Sequence, residues 1–207
     1  MLKKLKAIGI LLVCLGLSII VGFKVKLYMD GKKQEQIKAN FLALCEAYRE
    51  RDSWNDEDGN GGKRKLEEEI ANYRPLTGET IAIIQIPKID IDVSVVEGVR
   101  NEDIKLNVGH FPQSDMPWTP GGNFCVAGHS SVVYNCLFND LHKAKEGMKC
   151  TVITQFGTYD YTITSVRVVE ATDVSILERS EDGKAKITMA TCINSGSQRL
   201  VVIAERD

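Results

Sequence analysis

From residue 76 onward the chain is a series of short β-branched runs, each cut off by turn residues, and this pattern leaves few folds open. The runs are Thr80 to Ile86, Ile89 to Val95, Asn123 to Ala127, Lys149 to Thr154, Thr158 to Val169, Lys186 to Ala190 and Leu200 to Ala204. Ile89 to Val95 alternates apolar and polar residues, as does the long run from Thr158, which is the mark of a strand with one covered face. Gly121-Gly122, Gln155 to Thr158 and Glu181 to Lys184 supply the turns between them. Many short strands with only a helical turn or two predict a mainly β domain, a closed β-barrel with short helices, over residues 76–207. About 130 residues is an ordinary size for such a domain. With a formal net charge of only −2, the 207-residue chain gives no electrostatic reason to expect nucleic acid as a partner.

The amino-terminal third has a different texture. Lys3, Lys4 and Lys6 precede Ala7 to Phe23, seventeen residues without a charge, and Lys24 and Lys26 close the segment. A spanning helix needs roughly 17–25 apolar residues. A cleaved signal peptide is the competing reading, but the segment ends in Val21-Gly22-Phe23-Lys24 rather than at a small-x-small site. The expectation is therefore a cytoplasmic stretch at 1–6, a transmembrane anchor at 7–23 and the remainder outside the cell, the leading lysines setting the orientation. Ile37, Phe41, Leu44, Cys45 and Tyr48 recur at helical spacing, and the acidic, Gly-rich stretch from Asn55 to Gly62 reads as a break before a second short helix at Lys63 to Tyr73. Residues 24–75 are thus expected to form an extracellular helical stalk and linker, a spacer holding the domain off the membrane.

Three residues at the ends of strand-like runs carry the chemistry. Cys192 closes the run from Lys186, Arg199 opens the next run seven residues later, and His129 follows Phe124-Cys-Val-Ala-Gly at a glycine break. A thiol attacks carbonyls well, an imidazole moves protons at neutral pH, and a guanidinium stabilises negative charge on oxygen at any working pH. Taken singly, each has a plainer explanation: a buried small hydrophobe, a turn histidine and a surface arginine. Together at strand ends, where sites form, they indicate acyl transfer.

These residues sit in motifs that resemble those of the sortase family. Ile86-Pro87-Lys88-Ile89 resembles the family's early strand, Ala127-Gly128-His129 its histidine motif, Thr172 to Leu177 the loop lining its sorting-signal groove, and Thr188 to Cys192 its TLxTC signature with Met189 for leucine. The resemblance implies a sortase-type barrel behind an amino-terminal anchor. It implies a cysteine transpeptidase with Cys192 as nucleophile, His129 as acid and base, and Arg199 as oxyanion partner. The substrate would be a surface protein bearing a carboxy-terminal LPxTG-like sorting signal, cleaved after its threonine through a thioester. The acceptor would be an amine such as that of lipid II or a wall cross-bridge. Carried over by position, Thr191, Ala127, Val174, Ile176 and Leu177 would contact the signal; core packing is the plain alternative for Val174 and Leu177. The motifs fit class A or class D. No cofactor or metal is implied. Some class A members bind calcium, but the loop from Asn107 to Asn123 offers only Asp115 among carboxylates, so calcium activation is not expected.

Two rival classes are an L,D-transpeptidase, which would want a Ser-x-Gly-Cys-x-Arg-like cluster that Thr191-Cys192-Ile193-Asn194 does not provide, and a non-catalytic membrane-tethered binding module. His110, in an expected turn, and His142, in an expected helical stretch from Leu137 to Lys145, have no assigned part. Cys45, Cys125, Cys136 and Cys150 show no regular spacing and read as reduced residues rather than two disulfides.

Overall fold

The computed structural model describes residues 2–55, 61–130 and 137–207. Cys136, weighed above as a disulfide candidate, lies outside them. Two helices, α1 (Leu2–Asn55) and α2 (Gly61–Asn72), precede eight strands: β1 (Thr80–Ile86), β2 (Ile91–Glu97), β3 (Val108–His110), β4 (Asn123–Gly128), β5 (Lys149–Thr154), β6 (Gly157–Glu170), β7 (Lys186–Ile193) and β8 (Gln198–Arg206). They close a barrel in the order β1-β2-β3-β4-β7-β8-β6-β5. Closure removes the unpaired edges that so many short strands would otherwise expose. Ile84, Ile86, Val95, Phe124, Val126, Ile187, Met189 and Val202 meet in the interior with essentially no exposure.

One strand was not legible in the sequence. His110 was expected in a turn, but β3 carries it in a three-residue strand parallel to β2 and antiparallel to β4. The ring is 1% exposed. Its Nδ1 lies 2.7 Å from Glu97 Oε2 and its Nε2 2.9 Å from Ser114 Oγ, and the ring stacks on Phe124. The partners lie 13 residues upstream and in the following loop, so spacing alone gave no sign of them. β2 begins at Ile91, because Pro87–Ile89 forms a 3-10 turn and Asp90 takes a left-handed φ of 54°.

The stalk is not a free spacer. α1 is a single helix of 54 residues, about 80 Å long at 1.5 Å per residue. Its apolar segment is long and apolar enough to cross a membrane and buries none of that surface. Further along, Phe41 and Cys45 are buried against Ile83 of β1 and Ile153 of β5. Lys38 Nζ meets Asp92 Oδ2 at 2.8 Å, and Gln34 Nε2 donates to the Leu106 carbonyl at 3.1 Å. At the far end Arg49 reaches Thr158, while Tyr48, Phe156, Tyr73 and Trp118 pack edge-to-face. The helix therefore lies along β1, β2 and the β5–β6 hairpin, across the barrel from β7.

Candidate active site

Parallel pairing of β4 with β7 and antiparallel pairing of β7 with β8 assemble the site. Gly128 pairs with Thr191, so His129, the next residue, emerges beside Cys192. Cys192 pairs directly with Arg199 across β7 and β8. Directly opposed residues on antiparallel strands hold their Cβ atoms about 5 Å apart on one face. All three expected catalytic side chains thus meet at one rim of the barrel.

Local chemistry makes this rim possible. A Cβ at Gly128 would come within 2.9 Å of the Phe138 ring, so only glycine lets the chain pass under that ring into His129. The β7–β8 connection is very short. Asn194 and Ser195 adopt left-handed φ values of 49° and 56°, followed by Gly196 at 89°. Each such non-glycine residue costs about 1–3 kcal/mol and persists only where the surroundings impose it. Here the turn is held by Asn194 Nδ2 donating to Gln198 Oε1, by the Ser197 hydroxyl donating to the Asn194 carbonyl, and by Arg199 Nη1 donating to the Gly196 carbonyl at 2.8 Å. The same guanidinium that faces Cys192 is therefore pinned by its own loop.

Thr191 is 3% exposed and its hydroxyl donates to the Gly128 carbonyl at 2.7 Å. It ties the strand of Cys192 to the strand of His129. Ser130 adds a second tie, its Oγ donating to the Cys192 carbonyl at 2.7 Å. Cys192 itself is exposed, whereas Cys45, Cys125 and Cys150 are buried free thiols. Burial pushes the Cys125 and Cys150 thiols up to about 12, which removes them as nucleophiles near neutral pH. His129 is partly buried, and that burial pushes its imidazole below the usual histidine range, favouring the neutral ring at pH 7.

Two grooves meet at Cys192. One, of about 410 Å³, runs from Cys192, His129 and Arg199 over Ala127 and Thr191 to Val174, Ile176 and Leu177. Every residue expected to contact a sorting signal lines it. Val174 is 71% exposed, so core packing does not account for that residue. Ile176 and Leu177, by contrast, pack on Ala190 and Val201 and form the groove floor. The other groove, of about 640 Å³, lies on the opposite side of the thiol between Ser130, Asn139, His142 and Ser195. His142 sits in the 3-10 turn Asn139–Lys143, as its sequence context suggested, with its Nδ1 2.7 Å from the Asn139 carbonyl.

Sequence reasoning missed the fixture behind the first groove. Asn123 is fully buried at the start of β4. Its amide donates to the Ile176 carbonyl at 2.9 Å and to the Glu178 carbonyl at 2.7 Å, and its Oδ1 accepts from Thr188 Oγ1 at 2.8 Å. Beside it, Asp115 receives a two-point contact from Arg179, at 2.5 and 3.0 Å, and the Asn123 backbone N–H. Burial alone would raise the Asp115 carboxyl, but these donors outweigh it and hold it below the usual range. An asparagine opening an apolar strand was the available signal. Among the described residues there is no cluster of three or more His, Cys, Asp or Glu arranged to hold a metal ion.

The family model for the sortase domain matches residues 84–207, well over half of the chain. The chain belongs to the sortase family. Sortase A of Listeria monocytogenes is 27% identical over 214 residues, covering 99% of this chain and 91% of that protein. Sortase D of Bacillus subtilis is 26% identical over 141 residues, covering 66% of this chain and 68% of that protein. Among solved structures, the sortase D5 transpeptidase of Clostridium perfringens superposes with a TM-score of 0.62 at 26% identity, covering 81% of this chain and 98% of that one. A sortase is a cysteine transpeptidase, and the barrel order, the thiol at the rim and its two partners agree with that class.

Proposed function

We propose that this sortase cleaves an LPxTG-like sorting signal after its threonine and transfers the protein to an amine of a cell-wall precursor. The observation that carries this reading is the convergence of Cys192, His129 and Arg199 at one end of an apolar-floored groove. The signal's apolar residues lie over Ile176, Leu177 and Ala127, with Val174 at the lip. The Cys192 sulfur bonds to the threonine carbonyl carbon while Arg199 holds the oxyanion. His129, neutral at rest, takes the Cys192 thiol proton as the sulfur attacks and, as the bond to the following glycine breaks, gives that proton to the leaving amine. The neutral imidazole then takes a proton from the incoming amine, whose nitrogen replaces sulfur on the carbonyl carbon and frees the thiol. Residues 7–23 act as the membrane anchor with the barrel outside the cell, and residues 76–207 as the catalytic domain.

Cleavage of a quenched LPxTG-like peptide, with and without triglycine, tests the reading. Cys192→Ala is expected to abolish release, and triglycine to divert product from free acid to the ligated peptide. Release that persists in Cys192→Ala would refute it.

A further inference from the structure

The catalytic rim is also the rim at which α1 enters the domain. Asp92, near the start of β2, meets Lys38 of α1, Val95 three residues on pairs with Val108 of β3, and β3 continues that level to β4, where Gly109 pairs with Ala127 just before His129. The Phe138 N–H donates to the His129 carbonyl at 2.9 Å. The neighbouring Leu137 and Asp140 share a groove with Gln34 and Lys38 of α1. Residues 34–38 of the helix therefore stand beside the catalytic rim, whereas Tyr48 and Arg49 reach the β5–β6 hairpin at the opposite rim. Going backwards along the helix from Gln34 leads out past the catalytic rim, straight to the apolar segment.

From this we infer that α1 is a rigid strut that holds the catalytic rim facing the membrane at a fixed height, where it draws its acceptor amine from the bilayer surface. The inference rests on the proposed function and on residues 7–23 as the anchor. Ten residues separate Lys24, the first charge after the apolar segment, from Gln34. At 1.5 Å per residue, a helix near the bilayer normal sets the rim about 15 Å above the membrane boundary. The side chains that fix this height are the buried pair Phe41 and Cys45, the Lys38–Asp92 ion pair and the Gln34–Leu106 hydrogen bond. The 640 Å³ groove beside Cys192 opens on this rim, lined by Asn139 and His142 of the turn that also borders α1. An amine on a lipid headgroup, carried by a short flexible peptide, is a partner of the matching reach.

The test uses the full chain in lipid nanodiscs. Seven helix-forming residues inserted between Phe23 and Gln34 raise the rim about 10 Å while nearly preserving its rotational phase. A pentaglycyl lipid reaches about 17 Å, enough for the natural gap and too short for the enlarged one; a twelve-glycine lipid reaches about 40 Å. The insertion is expected to leave transfer to soluble triglycine within two-fold, to cut transfer to the pentaglycyl lipid at least ten-fold, and to regain it with the twelve-glycine lipid. Equal use of the pentaglycyl lipid by both chains overturns the strut. Absence of any thioester or triglycine product would instead refute the function beneath it. Orientation is then decided without catalysis, by energy transfer to headgroup dyes from a probe at Ser195→Cys or at Asp182→Cys, both in a Cys14→Ala, Cys192→Ala background. Those positions lie at opposite ends of β7, roughly 25 Å apart. Stronger transfer from Ser195→Cys is expected, and stronger transfer from Asp182→Cys overturns the inference.

Discussion

Replacing Asn123 with alanine isolates the fixture behind the groove floored by Ile176 and Leu177. The side chain is fully buried and makes three hydrogen bonds, two of which hold the backbone of the groove loop at Ile176 and Glu178. Each such bond contributes about 1 kcal/mol net, and a buried partner left without one costs about 1–3 kcal/mol. The Thr188 hydroxyl, 1% exposed, would be such a partner. Asn123→Ala is therefore expected to lose about 3 kcal/mol, which lowers a urea midpoint by roughly 1.5 M at an ordinary denaturant slope. Thr188→Val removes only the shared bond and is expected to lose about 1 kcal/mol. The kinetic consequence is specific to the loop. Freed from β4, Ile176 and Leu177 no longer form a fixed floor, so KM for an LPxTG-like peptide rises about ten-fold, equivalent to roughly 1.4 kcal/mol, while kcat changes little. A form beginning at Gln34, which keeps the α1 docking contacts, suits both assays. A stability loss under about 0.5 kcal/mol with unchanged KM would refute the argument, since a buried amide with three partners does not leave so quietly.

Four further outcomes follow from the same geometry. Iodoacetamide is expected to modify Cys192 rapidly at pH 7.5 and to spare Cys125 and Cys150, whose buried thiols sit near 12; peptide mapping that finds either of them labelled first would contradict this. Burial disfavours the charged ring of His129, so its NMR titration midpoint should fall below 6.5, and a resting ring that is already protonated, and so unable to take the thiol proton, should accumulate only below that pH. A midpoint above 6.5 would reverse the sign. Arg199→Lys keeps the charge but loses the planar fork tied to Gly196, and kcat/KM should fall roughly 10²–10³-fold with little change in melting temperature. Phe41→Ala should weaken α1 docking by about 3 kcal/mol, seen as lost amide protection over residues 37–48 with the barrel core unaffected; unchanged protection would show that Phe41 does not hold the helix.

The barrel was legible because its strands announce themselves: β6 and β7 are β-branched runs ended by glycine or polar turns, and period-two alternation survives in one dimension. β3 was not, because three residues are too few to show a period and Gly109 sits at their centre. The convergence of Cys192, His129 and Arg199 could be read because strand ends meet on a rim once a barrel is assumed. Asn123 could not, since its partners Ile176 and Glu178 lie more than fifty residues away and a lone polar residue in an apolar run has many explanations. The helical spacing of Phe41, Cys45 and Tyr48 was visible, but what that stripe packs against was not. Amphipathicity states that a face is covered and says nothing of the partner. The continuity of α1 from the apolar segment to Asn55 was likewise hidden, because the charge-rich stretch from Lys24 to Glu35 resembles a linker as readily as a solvated helix.

The most direct measurement is intact-mass analysis of the protein mixed with an LPxTG-like peptide, quenched in acid before and after addition of triglycine. A mass increase equal to the peptide's acyl portion, located on Cys192, lost on adding triglycine with ligated peptide appearing in its place, is the predicted result. A folded protein with a free Cys192 thiol that gains no acyl mass from any peptide in a broad LPxTG-like set would contradict the central claim.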